Sequence, residues 1–235
     1  MGRDRGGVGP SVCSTVNAAG PQLHVAFDEA PDRLWGIISS RLMTSPVVVV
    51  GITGPVGSGK STLARRLAAR GAADRLATPP SLLSTDDYLP DYRAVDPLHR
   101  DLPEHADLAL LAENLAALRA GRRATVPVWS FHTHRREGVR EVAPTALVIC
   151  EGIHALHAMH REYLDVRVFV DAPRAVRWAR WEAIERQGQR GMGVRAARLH
   201  FETIAEPSFD LGADEYRRAA QVVVQNHGPD PAVPD

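Results

Sequence analysis

Apolar positions along the chain fall into short unbroken runs that alternate with longer stretches of helical spacing. "VVVVGIT" (47–53) has no polar alternation, the pattern of a parallel strand buried on both faces. "SLLST" (81–85), "TALVIC" (145–150), "VRVFVD" (166–171) and "AQVVVQN" (220–226) read as further strands. Between them the spacing predicts helices over "KSTLARRLAARG" (60–71), "HADLALLAENLAALRAG" (105–121), "IHALHAMHREY" (153–163) and "PRAVRWARWEAIERQG" (173–188). Gly71 stands where the first of these would stop. Leu34, Ile37, Ile38 and Leu42 predict one more amphipathic helix within 22–44, packed on the domain's edge. The order is βαβα with a parallel sheet, an α/β fold.

Composition narrows the setting. A chain of 235 residues, 44% apolar and 24% charged, is long enough to bury one sizeable core. Lys plus Arg and Asp plus Glu both number 28, so no global field draws the molecule to nucleic acid or to a membrane surface. Any charged ligand must be held locally. Cys13 and Cys150 are too few for a disulfide framework, and Cys150 lies in an apolar run, which suits a reducing, cytoplasmic compartment. Residues 1–21 are rich in Gly, Ser and Thr and contain no apolar stretch that suits a signal peptide or a membrane span, so they read as a flexible leader. Residues 228–235 form a polar, proline-broken tail, and 45–227 make up one domain. A homo-oligomer stays open, since no motif addresses assembly.

The chemistry begins at "GITGPVGSGKST" (51–62). Gly54, Gly59, Lys60 and Ser61 satisfy G-x-x-x-x-G-K-[ST] between a predicted buried strand and a predicted helix, which is the context a P-loop requires. Backbone amides across Gly54, Pro55, Val56, Gly57, Ser58, Gly59, Lys60, Ser61 and Thr62 would cradle the phosphates of ATP, with the helix N-terminus behind them. Lys60 would bridge the β- and γ-phosphates, and Ser61 would ligate Mg²⁺. A GTPase would need an N-K-x-D motif, which is missing. Motors and transport ATPases end an apolar strand in adjacent acids, whereas "ALVICEG" ends in the single Glu151. A small-molecule kinase remains. Asp86 and Asp87 follow the second strand, where ligands of open parallel sheets bind, so Asp86 is placed to accept the proton of an attacking hydroxyl.

"GPVGSGKST", "LSTDDYL", "DLPEHADLALLAENLAALRAGRRATVPVWSFHTHRR", "VICEGIHAL" and "VRVFVDAPRAVRWAR", in that order, resemble the uridine kinase, phosphoribulokinase and pantothenate kinase group of P-loop kinases, over about Pro46 to Asn226. The resemblance implies a three-layer α/β/α P-loop fold with a small β-ribbon insertion at the acceptor site and an arginine-rich helical lid at about 185–195. It implies ATP and Mg²⁺, a small-molecule hydroxyl substrate, Asp86 as general base and a metal site of Ser61, Glu151 and Asp86. Asp101 falls where uridine kinases hold ribose hydroxyls, and His134 where they contact the base. Trp129 and Ser130 replace the family's Tyr and Asp, so the acceptor pocket differs in shape. Tyr88 and Arg136 complete the predicted acceptor residues. Arg177, Arg180, Arg186, Arg190 and Arg195 are available to the lid, Arg177 and Arg180 share a helix face from which one or both would reach the phosphates, and Trp181 stands where an arginine is common. "HTH" (132–134) lacks a third ligand for a transition metal, but on a continuing strand His132 and His134 would both face the acceptor. The favoured acceptor is a nucleoside such as uridine or cytidine; a non-nucleoside hydroxyl substrate and a nucleotide-binding protein without transfer activity are the alternatives.

Overall fold

The computed structural model describes residues 21–74 and 76–228. Apart from Pro21 and Gly228, the leader and the tail read from the sequence lie outside the described residues. Six parallel strands form the central sheet: β1 (Leu23–Ala26), β2 (Val48–Thr53), β3 (Ser81–Ser84), β6 (Leu147–Glu151), β7 (Val166–Asp171) and β8 (Val222–Gln225), in the order β1-β8-β7-β2-β6-β3. The antiparallel ribbon β4 (Ala124–Ser130) and β5 (Arg135–Val142) stands apart from it.

Side-chain alternation divides the core in two. Val49 of β2 and Val148 and Cys150 of β6 face one cluster, with Leu111 and Leu115 of helix α3 (Leu108–Arg119). Val48, Val50 and Ile52, with Leu147 and Ile149, face the other, against helices α1 (Ala30–Leu42) and α2 (Lys60–Ala73). Both faces of β2 and β6 are therefore dry, which explains their unbroken apolar runs.

Three elements depart from the sequence pattern. Within 22–44 the helix is confined to α1, and Leu23–Ala26 is an edge strand whose partner is β8, with Leu23 opposite Val222. Four residues are too few for periodicity to separate strand from helix, and the pairing is set by a strand at the far end of the chain. The expected helix over 153–163 is a chain of tight turns ending in a 3₁₀ segment (Ala158–Tyr163), because His157 accepts a hydrogen bond from the Met159 amide and caps it there. Beyond α4 (Arg174–Arg186), a glycine-rich loop leads into α5 (Val194–His200), a π turn (Phe201–Ala205) and α6 (Glu206–Ala219). Pro207 in the first turn and Gly212 in the middle obscure α6 in the sequence, although it buries Phe209 and Tyr216.

Ile38 of α1 is fully buried among Leu34, Leu63 and Leu67. Ile38→Ala is expected to lower unfolding free energy by about 2–5 kcal/mol in urea titration; an unchanged midpoint would mean that α1 lies outside the cooperative unit.

Candidate active site

The P-loop leaves β2 and enters α2 at the carboxyl edge of the sheet. Gly57 has φ 72° and Gly59 φ 99°, both left-handed conformations that favour glycine. Space imposes the same demand. A Cβ on Gly57 would lie 2.4 Å from the Arg177 carbonyl oxygen, and one on Gly59 2.5 Å from the Asn226 side chain. The loop is pressed against α4 and held from below by Asn226, whose Nδ2 donates to the Ser58 carbonyl at 2.8 Å and whose Oδ1 accepts from Arg180 at 2.8 Å.

A cavity of about 370 Å³ opens above the loop. Its phosphate side is formed by Val56, Gly57, Gly59, Lys60, Ser61 and Thr62. Lys60 donates to the Pro55 carbonyl at 3.0 Å. Burial lowers its ammonium pKa to about 8, against the opposing pull of Glu151 and Asp86. Ser61 Oγ donates to Glu151 Oε2 at 3.1 Å. Asp86 sits in a 3₁₀ turn (Thr85–Tyr88) directly after β3, where Ser84 Oγ accepts from its amide at 3.2 Å. Burial raises the Asp86 carboxyl above its ordinary value, with Arg190 and Lys60 pulling the other way. Glu151 is raised by burial and then by Asp86. Two half-buried carboxylates and one buried ammonium thus meet at the cavity floor.

Asp101, Trp129 and His134 line the far side of the cavity. Asp101 Oδ1 accepts from the Tyr92 hydroxyl at 3.0 Å, and its Oδ2 lies 3.3 Å from His200 Nε2. Burial alone would raise this carboxyl, but hydrogen bonds from His200 and Tyr92 outweigh it and hold the pKa below the ordinary value. β4 ends at Ser130, so the ribbon does not carry His132 and His134 to one face. Ser130 Oγ instead accepts from the His132 and Thr133 amides and turns the chain, with His134 at φ 55° delivering its imidazole to the cavity. Such a residue costs on the order of 1–3 kcal/mol, a strain that clusters at functional sites.

Three predicted residues lie elsewhere. Tyr88 is buried in the core, its hydroxyl accepting from Asn114 Nδ2 at 2.9 Å. Arg136 points from β5 to the outside of the 3₁₀ turn, donating to Asp107 at 3.2 Å and to the Tyr88 carbonyl at 3.1 Å. Arg177 is buried and committed to Glu206 at the head of α6, with its Nε on the Ala172 carbonyl. Three of its five N–H donors are spent in this wall, and its side chain does not line the cavity. Arg180 does line the cavity, and it donates to the Gly57 carbonyl at 3.3 Å.

The sequence reading left out Tyr92, Phe131 and His200, all of which line the cavity, as do Arg190, named among the arginines available to the lid, and Trp181. Arg190 lies over the rings of Phe131 and Trp181, 4.7 and 5.5 Å from their centroids. Glu185, buried beneath the loop, accepts from the Met192 and Gly193 amides at 3.2 and 2.9 Å and so fixes the segment that bears Arg190. Arg190 was signalled by the arginine-rich lid and the glycines around it; His200 had no signal.

A model of the phosphoribulokinase / uridine kinase family matches residues 49–230. The chain is 28% identical over 188 residues to a uridine kinase of Clostridium perfringens, a match covering 77% of this chain and 88% of that protein. A stretch of 126 residues is 33% identical to the inorganic pyrophosphatase TTM2 of Arabidopsis thaliana; it spans 53% of this chain but only 18% of the plant protein. Among solved structures, a candidate fructose transport system kinase from a Silicibacter species superposes with a TM-score of 0.67 at 22% identity, over 83% of this chain and 98% of that one, a likeness of fold.

The Arg177–Glu206 pair gives a direct test of its structural role. Arg177→Met alone leaves the buried Glu206 carboxylate with only the exposed Arg174, 3.4 Å away, and is expected to cost up to about 3–5 kcal/mol of stability, much of which returns in the Arg177→Met/Glu206→Leu double variant. Denaturant unfolding of both checks this, and equal loss in the two would contradict it.

Proposed function

Because the chain belongs to the phosphoribulokinase / uridine kinase family, we propose that it transfers the γ-phosphoryl group of ATP to a hydroxyl of a small molecule. The observation behind this reading is the convergence in one cavity of Lys60 and Ser61 of the P-loop, Asp86 and Glu151 at the strand ends, and Asp101 and His134 across from them. In this reading the P-loop amides and Lys60 hold the phosphates. The acceptor oxygen attacks the γ-phosphorus, the bond from that phosphorus to the β–γ bridging oxygen breaks, and the hydroxyl proton passes to Asp86. Burial, which raises Asp86, makes it a stronger base than a solvated aspartate. Arg190, rather than Arg177, supplies the cation over the cavity, and Arg180 braces the P-loop from behind.

Ser61, Glu151 and Asp86 offer only hard oxygen donors, and the Ser61–Glu151 contact brings two of them together. Such a set suits Mg²⁺, which uses one or two carboxylates together with substrate phosphates. When bound, Mg²⁺ would neutralise charge on the β- and γ-oxygens. The nucleoside acceptor implied by the resemblance is supported by Asp101 and His134 sharing the cavity. An acceptor without a base is the second reading, favoured by the burial of Trp129.

Asp86→Asn is expected to lower kcat by roughly 10²- to 10⁴-fold while ATP affinity is kept; full turnover in this variant, measured by coupled ADP release, would remove Asp86 from the base role. A second expectation concerns pH. Lys60 is charged below about pH 8 and neutral above it, so ATP affinity is expected to fall as pH rises through that value. Stability of the free chain has the opposite slope. Between about 8 and the ordinary lysine value of 10.5 the unfolded chain holds a proton that the folded chain lacks, so this group's contribution to stability rises with pH there. Calorimetric titration of ATP at several pH values, with Lys60→Met as the flat control, distinguishes the two; an affinity independent of pH in the unaltered chain would refute the role of Lys60.

A further inference from the structure

Resting on the kinase reading above, we infer that the acceptor is a compact polyhydroxylated compound, a free sugar or sugar acid with no heteroaromatic ring, and that Trp129 is the residue that excludes nucleosides. Recognition of a base by stacking needs an open aromatic face, whereas recognition of a hydroxyl needs only one exposed oxygen or nitrogen. The rings around this cavity have spent their faces on one another.

Trp129 is only 7% exposed. Tyr92 meets it at 5.1 Å and 60°, Phe131 at 5.1 Å and 85°, and His134 at 5.8 Å and 76°. Its indole N–H, the single polar group that could read a base edge, donates to the Pro90 carbonyl at 3.1 Å. Tyr92, 9% exposed, is stacked on His134 at 17° and 5.4 Å, carries Arg100 over its ring at 5.0 Å and gives its hydroxyl to Asp101. Trp181, 4% exposed, meets His200 and Phe201 edge-on, and Arg190 lies over both it and Phe131. Leu89, Tyr92 and Trp129 pack in one apolar cluster with Phe131 against it, and this cluster would have to part into a slab for a pyrimidine to stack there.

What remains available is polar and close to the reacting end. The Asp101 carboxylate lines the cavity with each oxygen engaged once, by Tyr92 and by His200, which leaves further lone pairs for adjacent hydroxyls. His134, Gln189 and Arg190 line the same space and carry nitrogens for hydroxyl oxygens, while His200 beside them is engaged by Asp101. A vicinal diol fits these groups without a stacking surface. Anionic sugar acids fit equally beside Arg190 and the two imidazoles.

The test uses the full chain with ATP and Mg²⁺. Uridine and cytidine are compared with fructose, ribose and glycerate, with binding read by calorimetry and transfer by ADP release. At least one compact polyol is expected to bind and accept phosphate, exceeding both nucleosides by at least about tenfold in kcat/KM. Trp129→Ala, and the milder Trp129→Leu where the first fails to fold, are expected to raise uridine affinity about tenfold by opening the slab. Uridine or cytidine bound by the unaltered chain as tightly as the best polyol would overturn the inference, as would binding of neither class. Polyol binding without transfer would support the acceptor assignment and sink the kinase reading instead.

Discussion

Two carboxylates and an ammonium group share the floor of one pocket, Lys60 buried and Asp86 and Glu151 half-buried, and keeping those charges there constrains everything around them. Each of Lys60, Asp86 and Glu151 is pushed by burial toward its neutral form and pulled back by the other sign of charge. The balance holds only if the three backbones arrive at fixed separations. The parallel sheet provides that, because β2, β3 and β6 are neighbours or next neighbours and all three end at the same edge. Dry packing on both faces then keeps the strand ends from shifting.

Fixing the phosphate loop requires a second set of contacts, and these come from α4 and β8. Gly57 touches the Arg177 carbonyl, and Asn226 ties Ser58 to Arg180. Arg177, anchored to Glu206, holds the start of α4 against α6. A residue whose sequence context suggested phosphate chemistry therefore works as a rivet in the wall behind the loop. The cation over the cavity is carried on a glycine-rich turn instead, where Glu185 pins the backbone and leaves the Arg190 side chain over two rings.

Legibility in the sequence followed the range of the interactions. β2, β3, β6, β7 and β8 are marked by local apolar runs, and the P-loop by a local motif, so both could be read. Asp86, Glu151 and Asp101 sit next to strands or in recognisable motifs and were also found. β1 was missed because its identity as a strand depends on β8, about as far away in the chain as possible. His200 and Tyr92 were missed because they meet Asp101 only after folding, with no spacing rule linking them, and Arg190 was not set apart from the other lid arginines because Phe131 comes beneath it only in the fold. Tyr88 and Arg136 were misplaced for the converse reason. Both adjoin true cavity residues in sequence, but the 3₁₀ turn after β3 sends Tyr88 into the core, and the ribbon directs Arg136 to the turn's outer side.

The pairing of β1 with β8 also bears on how the molecule is made. During synthesis Leu23 leaves the ribosome long before Val222, its partner in the sheet, and Asn226, which steadies Ser58, follows later still. The nascent chain can collapse around β2, α2 and β3, yet neither its first strand nor its phosphate loop has its final support until β8 emerges. Loop closure over so long a separation is entropically slow. The phosphate loop thus gains its last support only once β8 and Asn226 have been made, whatever has formed before them.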